Sequence, residues 1–428
     1  MSTTYKRAGS VVMLALVASV MALVLAACGQ EDPTATPVPT STSTPVPGAT
    51  STPTPEPPSA AELFQVEWDA LIAAAQEEGQ VVLVLGGSAG RNYRPVLEFF
   101  QDKFGIEAVV STGSGTAQAN RILAERDAGS YQVDVLWVGG TSANTRMVPA
   151  NALDPIADLF VHPEVTDLSL WFQGRYWYAD EPQKFVFTLS ADTGPIQTMR
   201  YNTDLMTQED LDGINSVYDF LDPKWKGKIV AISPLTGGAG GTYFEAYVHP
   251  DIGKGWVDQF VSPELAVTFV EDFRFIVDGV AKGQFHFAIA IGSAGRDLDA
   301  LAELGAPVQR FPCNVANVCV KELKEAGVMA GTGSQNNMMV PTNRPHPNAA
   351  KLFVNWFLSQ EGQTKMHTLS EGDPDQTLRM DVTDLGRTLP YERRDPDRDY
   401  FFFSADPVFV PLRLEALDYA KDAFNATH

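Results

Sequence analysis

Five apolar, strand-like runs of this chain end in small glycine-containing loops that open helices, and this repetition constrains the fold most strongly. The loops have the sequences LGGSAGRN, STGSGTAQ, VGGTSANT, SPLTGGAGGT and IGSAGRDL. Alternation of strand and helix in this rhythm predicts parallel β-sheets with crossover helices, which is an α/β fold. No internal repeat with the period of a solenoid occurs in the sequence.

The same loops indicate a binding site. In a parallel sheet, the carboxyl ends of the strands and the N-termini of the following helices face one crevice. Backbone N–H groups, the positive ends of helix dipoles and Ser or Thr hydroxyls point into it, and they suit a small polar or anionic ligand. For any single loop, a tight turn with a helix N-cap is the simpler explanation, so the prediction depends on the five loops together.

The N-terminus has the layout of a secretory signal. Two basic residues precede an apolar run from Val11 to Ala27, and LAAC at residues 25–28 resembles a bacterial lipobox. This pattern predicts a lipoprotein signal peptide over residues 1–27 and lipidation of Cys28. An uncleaved membrane anchor is the alternative for an apolar run of this length.

Residues 28–60 are predicted to form a disordered tether. They consist almost wholly of Pro, Thr, Ser, Ala and Gly, with nine prolines, and they lack the apolar residues of a core. Fully extended, a chain of this length reaches about 100 Å. Residues 61–428 are too many for one ordinary core and suit two domains.

Charge and cysteine content limit the partners. The formal charge is −22, and loss of the two basic residues of the signal brings the mature chain to −24. Nucleic acid is therefore excluded as a partner class, because phosphate binding needs clustered positive charge. Cys313 and Cys319 are predicted to form a disulfide in an oxidising compartment, with two free thiols as the alternative. Two cysteines alone do not make a metal site.

Motifs that would indicate catalysis are incomplete. GGSAG at residues 86–90 matches a nucleophile elbow with Ser88, but it follows the first strand, whereas such an elbow follows several earlier strands. GGAGGT lacks the lysine of a phosphate-binding loop and the third glycine of a dinucleotide fingerprint. The six histidines do not have the spacing of metal ligands. We therefore expect no enzyme activity, cofactor or resident metal, with a secreted serine hydrolase as the alternative.

Several stretches resemble solute-binding proteins of bacterial ABC importers, of the group that includes the periplasmic ferric-ion-binding proteins. They are FGIEAVVSTGSGTAQANRILAERDAG, VDVLWVGG, MRYNTDLM, LDPKWKGKIVAISP and GTGSQNNMMVPTNRPHPNAAKLFVNWFLSQEGQ. The resemblance implies a two-lobed, type 2 periplasmic-binding-protein fold (a Venus flytrap) with two crossovers, each lobe being a sheet flanked by helices. It places lobe 1 at residues 61–190, lobe 2 at 191–305, the return to lobe 1 at 306–365 and C-terminal helices that pack on the lobes at 366–428.

The resemblance also implies a function and a location. Proteins of this kind capture a solute between their lobes and deliver it, chemically unchanged, to a membrane permease. The expected partners are a small polar or anionic solute, an ABC permease and, through the lipid anchor, the membrane. We expect a monomer on the outer face of the bacterial cytoplasmic membrane.

The ligands differ from those of the ferric members. Those proteins hold iron with two adjacent tyrosines after the strand that matches FAIAIG, where this chain has Ser293 and Ala294, and no Tyr-Tyr pair occurs in the sequence. Serine and glycine do not replace phenolate oxygens around ferric ion, which is a hard cation. Direct iron binding is therefore disfavoured, and a ferric ion or ferric chelate is kept as the alternative ligand.

With direct iron binding disfavoured, the resemblance still implies an anion site. In the ferric group, the loop that matches SPLTGGAGG contacts a bound anion through backbone N–H groups, and the neighbouring loops here add hydroxyls and two guanidinium groups suited to carboxylate or phosphate. The predicted ligand-binding residues are Ser88, Arg91, Ser114, Thr116, Thr141, Thr236, Gly237, Gly238, Ser293 and Arg296. For each arginine, a solvated surface charge is the alternative.

Overall fold

The first helix begins at a capping box that separates the tether from the folded chain. The Ser59 hydroxyl accepts a hydrogen bond from the backbone N–H of Glu62, and the Glu62 carboxylate accepts one from the backbone N–H of Ser59. A computed structural model of the chain describes residues 58–87, 89–193, 199–236, 240–292, 294–311, 327–331, 336–388, 393–395 and 397–428. None of the helices in these ranges has the length and apolarity needed to cross a bilayer.

Residues 60–191 build most of lobe 1 from alternating helices and strands. The helices are α1 (Ala60–Glu78), α2 (Ala89–Asn92), α3 (Arg94–Phe104), α4 (Gly115–Asp127), α5 (Gly140–Ser142) and α6 (Pro163–Thr166). The strands are β1 (Gln80–Gly86), β2 (Glu107–Gly113), β3 (Val135–Trp137), β4 (Leu153–Asp154), β5 (Trp177–Tyr178), β6 (Phe187–Thr188) and β7 (Ser190–Ala191). The main sheet is parallel in the order β2–β1–β3, so its carboxyl ends meet at one edge.

Lobe 2 repeats this arrangement between residues 200 and 310. Its helices are α7 (Gln208–Asp212), α8 (Gly240–Val248), α9 (Lys254–Phe260), α10 (Phe273–Ala281) and α11 (Ala294–Glu303). Its strands are β8 (Arg200–Asn202), β9 (Ile229–Ile232), β10 (Thr268–Val270), β11 (Phe287–Ala288) and β12 (Val308–Arg310). The sheet order is β10–β9–β11–β8–β12, with β9, β10 and β11 parallel and β8 antiparallel to both of its neighbours.

The rest of the chain returns to lobe 1 and then to lobe 2. Its elements are β13 (Gly327–Val328), β14 (Asn337–Met338), β15 (Val340–Pro341), α12 (Pro347–Leu358), α13 (Gln360–Leu369), β16 (Gln376–Thr377), β17 (Tyr400–Phe401) and α14 (Arg413–Asn425). Met339 bridges to Leu136 of β3, which adds the returning chain to the sheet of lobe 1. Helix α14 packs on α8 and α9 of lobe 2.

The segments at 187–192, 327–331 and 400–404 lie side by side, since Asp192 bridges to Ala330 and β13 pairs with β17. The segment at 400–404 belongs to the C-terminal tail. Side chains alternate along an extended segment. Accordingly, Val328 and Phe403 belong to the apolar core of lobe 2, while their neighbours Met329 and Phe402 belong to the core of lobe 1. The segments at 327–331 and 400–404 therefore contribute to both cores.

Most predicted elements of the α/β pattern are confirmed, with one clear error. The sequence predicts a long helix within residues 263–283, but residues 268–270 form strand β10, and helix α10 begins only at Phe273. Asp272 caps that helix by accepting the N–H of Arg274 at 2.8 Å. The β-branched and aromatic residues of β10 pair with β9 at the sheet edge, which outweighs their helical spacing. The lobe 2 sheet also continues through β12, past the predicted lobe boundary at residue 305.

Candidate functional site

The strand-end loops of lobe 1 meet at the carboxyl edge of its parallel sheet. Ser114 caps α4 by accepting the backbone N–H of Ala117 at 3.2 Å. The hydroxyl of Thr116 lies 3.3 Å from the hydroxyl of Ser142, which follows β3. The backbone at Gly115 comes so close that an added Cβ would lie 2.9 Å from the Ser142 hydroxyl. The structure therefore brings the loops after β2 and β3 into contact.

Lobe 2 places its own strand-end loop opposite this edge. A Cβ added to Gly240, the first residue of α8, would lie 3.7 Å from the hydroxyl oxygen of Thr141 in lobe 1. Thr236, in the same lobe 2 loop, uses its backbone N–H and its hydroxyl within the turn, since both donate to the Ser233 carbonyl at 3.0 Å. Thr141 therefore borders the opposite lobe. The role of Thr236 in anion binding stays a prediction.

The two predicted arginines have different surroundings. Arg91 on α2 is exposed and forms no ion pair with the described residues. Arg296 on α11 of lobe 2 forms an ion pair, with its Nη2 3.0 Å from Oδ1 of Asp375. The buried Asp375 also accepts a hydrogen bond from Nδ2 of Asn336 at 2.7 Å. The positive charge of Arg296 is thus already matched by a protein carboxylate, which the sequence did not predict.

A buried tyrosine lies beside this ion pair. Tyr93, which precedes α3, stacks on Trp137 with ring centroids 4.9 Å apart. Its hydroxyl has no hydrogen-bond partner among the described residues. Burial raises the pKa of Tyr93 above its usual range, Arg296 lowers it and Asp375 raises it further. The hydroxyl therefore keeps its proton at neutral pH and remains a hydrogen-bond donor.

A buried histidine holds the segment that carries Asp375. His367 on α13 is fully buried, its Nε2 accepts the backbone N–H of Thr377 at 3.2 Å, and its Nδ1 lies 2.8 Å from the hydroxyl of Thr388. Burial, followed by the positive charge of nearby arginines, lowers the pKa of His367 to about 3. The imidazole is therefore neutral in the folded protein at neutral pH.

Lowering the pH should reduce the free energy of unfolding through His367. The unfolded chain binds a proton at His367 below the ordinary pKa of 6.5, while the folded protein resists protonation down to a pKa of about 3. Stability is therefore lost as pH falls from 6.5 towards 3, and at pH 5 this group should cost about 2 kcal/mol of unfolding free energy. Urea unfolding of wild-type protein and a His367→Gln variant at pH 8 and pH 5 measures it. The variant should lose that part of the pH dependence, whereas His428→Gln at an exposed position should keep it.

A buried arginine from the C-terminal tail lies between the lobes. Arg413, the first residue of α14, is 2 % exposed, and its Nη2 donates to the Ser404 carbonyl at 2.6 Å. Its Nε and Nη1 have no hydrogen-bond partner among the described residues. Nη1 faces lobe 1, where a Cβ added to Gly140 would lie 2.8 Å from it. On the lobe 2 side, the guanidinium carbon lies 5.3 Å from the ring centre of Phe244.

Arg413 is charged at neutral pH. Burial lowers the pKa of Arg413 to about 10, and the negative charge of Asp180 opposes this change. The folded protein thus keeps a cation between its lobes, and two of its donor nitrogens, Nε and Nη1, have no acceptor among the described residues.

Other predicted residues lie outside the described part of the chain. They are Ser88, Gly237, Gly238 and Ser293 of the strand-end loops, the predicted lipidation site Cys28, and the cysteines Cys313 and Cys319. Among the residues that are described, no group of three or more His, Cys, Asp or Glu side chains is placed to hold a metal ion.

Comparison with known proteins identifies the family. The family model of bacterial extracellular solute-binding proteins matches residues 86–364, which is more than half of the chain. The chain belongs to this family. No curated protein matches the solute-binding protein described here.

Solved structures show the same fold. Iron-bound HitA from Pseudomonas aeruginosa is 18% identical over 80% of this chain and 99% of its own, with a TM-score of 0.55. The IdiA (FutA) protein of Trichodesmium, in complex with iron and citrate ligands, is 19% identical over 81% and 99%, with a TM-score of 0.56. AfuA from Actinobacillus pleuropneumoniae, with fructose-6-phosphate bound, is 16% identical over 81% and 97%, with a TM-score of 0.54. The predicted fold class is confirmed.

The sequence did not predict the buried residues that lie between the lobes of this solute-binding protein. Arg413 and Asp375 come after residue 364, where the family match ends, so no family motif points to them. Arg413 also resembles any polar residue at the start of an amphipathic helix. The only local signal was Gly140, since a glycine at the start of a helix is typical of close approach by another group.

Proposed function

We propose that this protein captures a small polar or anionic solute between its lobes and delivers it to an ABC permease. Membership of the solute-binding family supports the binding role. The observation that carries the proposal is the approach of Thr141 in lobe 1 to Gly240 in lobe 2, because it sets strand-end loops of both lobes around one cleft. A solute held by both lobes favours the closed form, which a permease can recognise. In this role the protein delivers the solute without altering it chemically.

The proposal includes a location. The lipobox supports lipidation of Cys28, and the composition of residues 28–60 supports a tether that holds a monomer at the outer face of the cytoplasmic membrane.

The competing idea of a serine hydrolase with Ser88 as nucleophile has a direct test. Labelling of native protein by a fluorophosphonate probe, lost in a Ser88→Ala variant, would favour the hydrolase.

A ferric chelate is the second candidate solute. The iron-bound neighbours favour it, and one of them carries citrate as well. Because the described residues offer no cluster of metal ligands, the chelator would have to fill most of the coordination sphere of the iron. Such a complex would present carboxylates to the cleft.

A panel of solutes tests the proposed function by thermal unfolding. We would use phosphate, citrate, ferric citrate, fructose 6-phosphate, a phosphonate, glucose, putrescine and thiamine, followed by a metabolite extract. A true solute at about 100 times its dissociation constant should add about 2.7 kcal/mol of stability and raise the melting temperature by several degrees. No shift with any compound or with the extract would contradict the proposal. A shift with ferric citrate alone would select the second candidate.

A further inference from the structure

We propose that Arg413 is the anion-recognition residue of the cleft, and that the solute carries a carboxylate or phosphate group that accepts a hydrogen bond from its Nη1. The inference rests on the proposed function, because it assigns a ligand class to the same cleft. Three observations support it: an unmatched charge, unused donors and a position between the lobes.

Two other deeply buried arginines of the described chain, Arg200 and Arg379, have a carboxylate partner. Arg200 donates to Asp299 through Nε at 2.6 Å and through Nη2 at 2.7 Å. Arg379 makes the same two-point contact with Asp381, with its Nε at 2.9 Å. Arg413 is as deeply buried as these two, but its one acceptor among the described residues is a neutral carbonyl. Among the described residues, its charge therefore has no bonded carboxylate, and an external anion would supply one.

The carboxylate of Asp180, whose charge acts on Arg413, already accepts other hydrogen bonds. Asp180 attracts Arg413 through its charge, but its oxygens accept the backbone N–H groups of Lys184, Phe185 and Val186 at 2.7 to 3.2 Å. A buried cation without a bonded anion is strongly unfavourable. A solute anion would supply that partner, and a charge-assisted hydrogen bond in a site of low dielectric is a strong one.

The position of Arg413 suits a group that must contact both lobes. Its helix, α14, packs on lobe 2, and Phe244 of lobe 2 lies against the guanidinium. Its Nη1 faces Gly140 of lobe 1, and a Cβ at Gly140 would also lie 3.7 Å from the side-chain nitrogen of Asn337. An anion that binds Nη1 would therefore touch residues of lobe 1 while it is held by a residue fixed to lobe 2. Binding of an anion at this position would therefore favour closure of the two lobes.

Calorimetry of wild-type protein and an Arg413→Gln variant tests the inference. The probes are sodium phosphate, citrate and fructose 6-phosphate, with glucose and putrescine as neutral and cationic probes. The phosphate and carboxylate probes together show which anion is preferred. We expect at least one anionic probe to bind wild-type protein and to bind the variant about 30-fold more weakly or worse. The ligand-free variant should melt at the same or a higher temperature, because the substitution removes an unmatched buried charge.

Arg121→Gln is the matched control. It removes the same charge from the surface of α4, where Arg121 pairs with Glu125 at 2.8 Å. Its affinity for the anionic probe should stay within about twofold of wild type, as expected for an exposed pair.

The outcomes separate this inference from the proposed function. Equal binding of the anion by wild type and Arg413→Gln would overturn the inference and leave the proposed function intact, as would binding of glucose or putrescine alone. Binding of no probe and no component of a metabolite extract would contradict the proposed function itself. If Arg413→Gln does not fold, arginine side-chain NMR of wild-type protein decides: a shift of the Arg413 signals on addition of the anionic probe supports the inference, and unchanged signals in a protein that binds the probe overturn it.

Discussion

Asp375→Ala should lower the free energy of unfolding by about 3 kcal/mol, because it removes the buried carboxylate from an ion pair with Arg296 and from a hydrogen bond with Asn336. The Asp375 carboxylate binds Nη2 of Arg296 at 3.0 Å and Nδ2 of Asn336 at 2.7 Å, and it is only 6 % exposed. Urea unfolding at pH 7.5 measures the loss. Asp375→Asn keeps an acceptor oxygen and should cost less.

Asp418→Ala is the control for this prediction. Asp418 forms an exposed pair with Lys421 on α14 at 3.2 Å, so its removal should change stability by no more than about 0.5 kcal/mol. Similar losses for Asp375→Ala and Asp418→Ala would contradict the importance of the buried pair.

Asp375→Ala should also change how closely the two lobes approach each other. Arg296 belongs to lobe 2, whereas the strand after Asp375, β16, pairs with β7 of lobe 1. Removal of the carboxylate should therefore shift the ligand-free protein towards an open form, which small-angle X-ray scattering would show as a larger radius of gyration. An unchanged radius of gyration together with a lower free energy of unfolding would mean that the pair of Arg296 and Asp375 stabilises the fold and does not control closure.

Gly362→Ala should destabilise the protein by about 3 kcal/mol or more, since the new methyl group has no room. A Cβ at Gly362 would lie 2.2 Å from the carbonyl oxygen of Trp356 and 2.6 Å from Cα of Phe357. Both are backbone atoms of α12, at the corner where the chain turns into α13, so rotation of a side chain cannot relieve the contact. Thermal and urea unfolding of the variant measure the cost.

Gly255→Ala provides the comparison for that experiment. Gly255 lies in α9, where an added Cβ would meet only the Tyr218 hydroxyl at 3.9 Å. Alanine is the better helix former, so this variant should be more stable than wild type by up to about 1 kcal/mol. A loss of stability at Gly255 similar to that at Gly362 would show that the steric argument is wrong.

The parallel half of each lobe was predictable because its signals are local. The helix that ends at Phe104 stops at Gly105, which takes the left-handed conformation with φ of 69° that glycine permits. The apolar runs of β1 and β9 are buried as predicted. Strand β10 was not predictable in the same way, because the spacing of residues 268–270 also fits a helix and pairing with β9 decides the outcome.

The candidate cleft was predictable only in part. The contact of Thr116 with Ser142 follows from the order of parallel strands, which any α/β pattern implies. The pairing of Arg296 with Asp375 and the placing of Arg413 are contacts between residues far apart in sequence. Neither residue spacing nor composition encodes such contacts, so they had to be seen in the structure.

The two ends of the described chain lie on different lobes. Helix α1 packs on α12 of lobe 1, where its Glu78 carboxylate accepts the N–H of Ala349 at 2.7 Å. At the other end, the ring of His428 lies 5.7 Å from the ring of Phe269 in lobe 2. A chain attached through its N-terminus would thus be attached by way of lobe 1, and lobe 2 would move relative to the attached lobe. Two dyes attached at the ends would report each opening and closing as a change in energy transfer, without any alteration to the cleft.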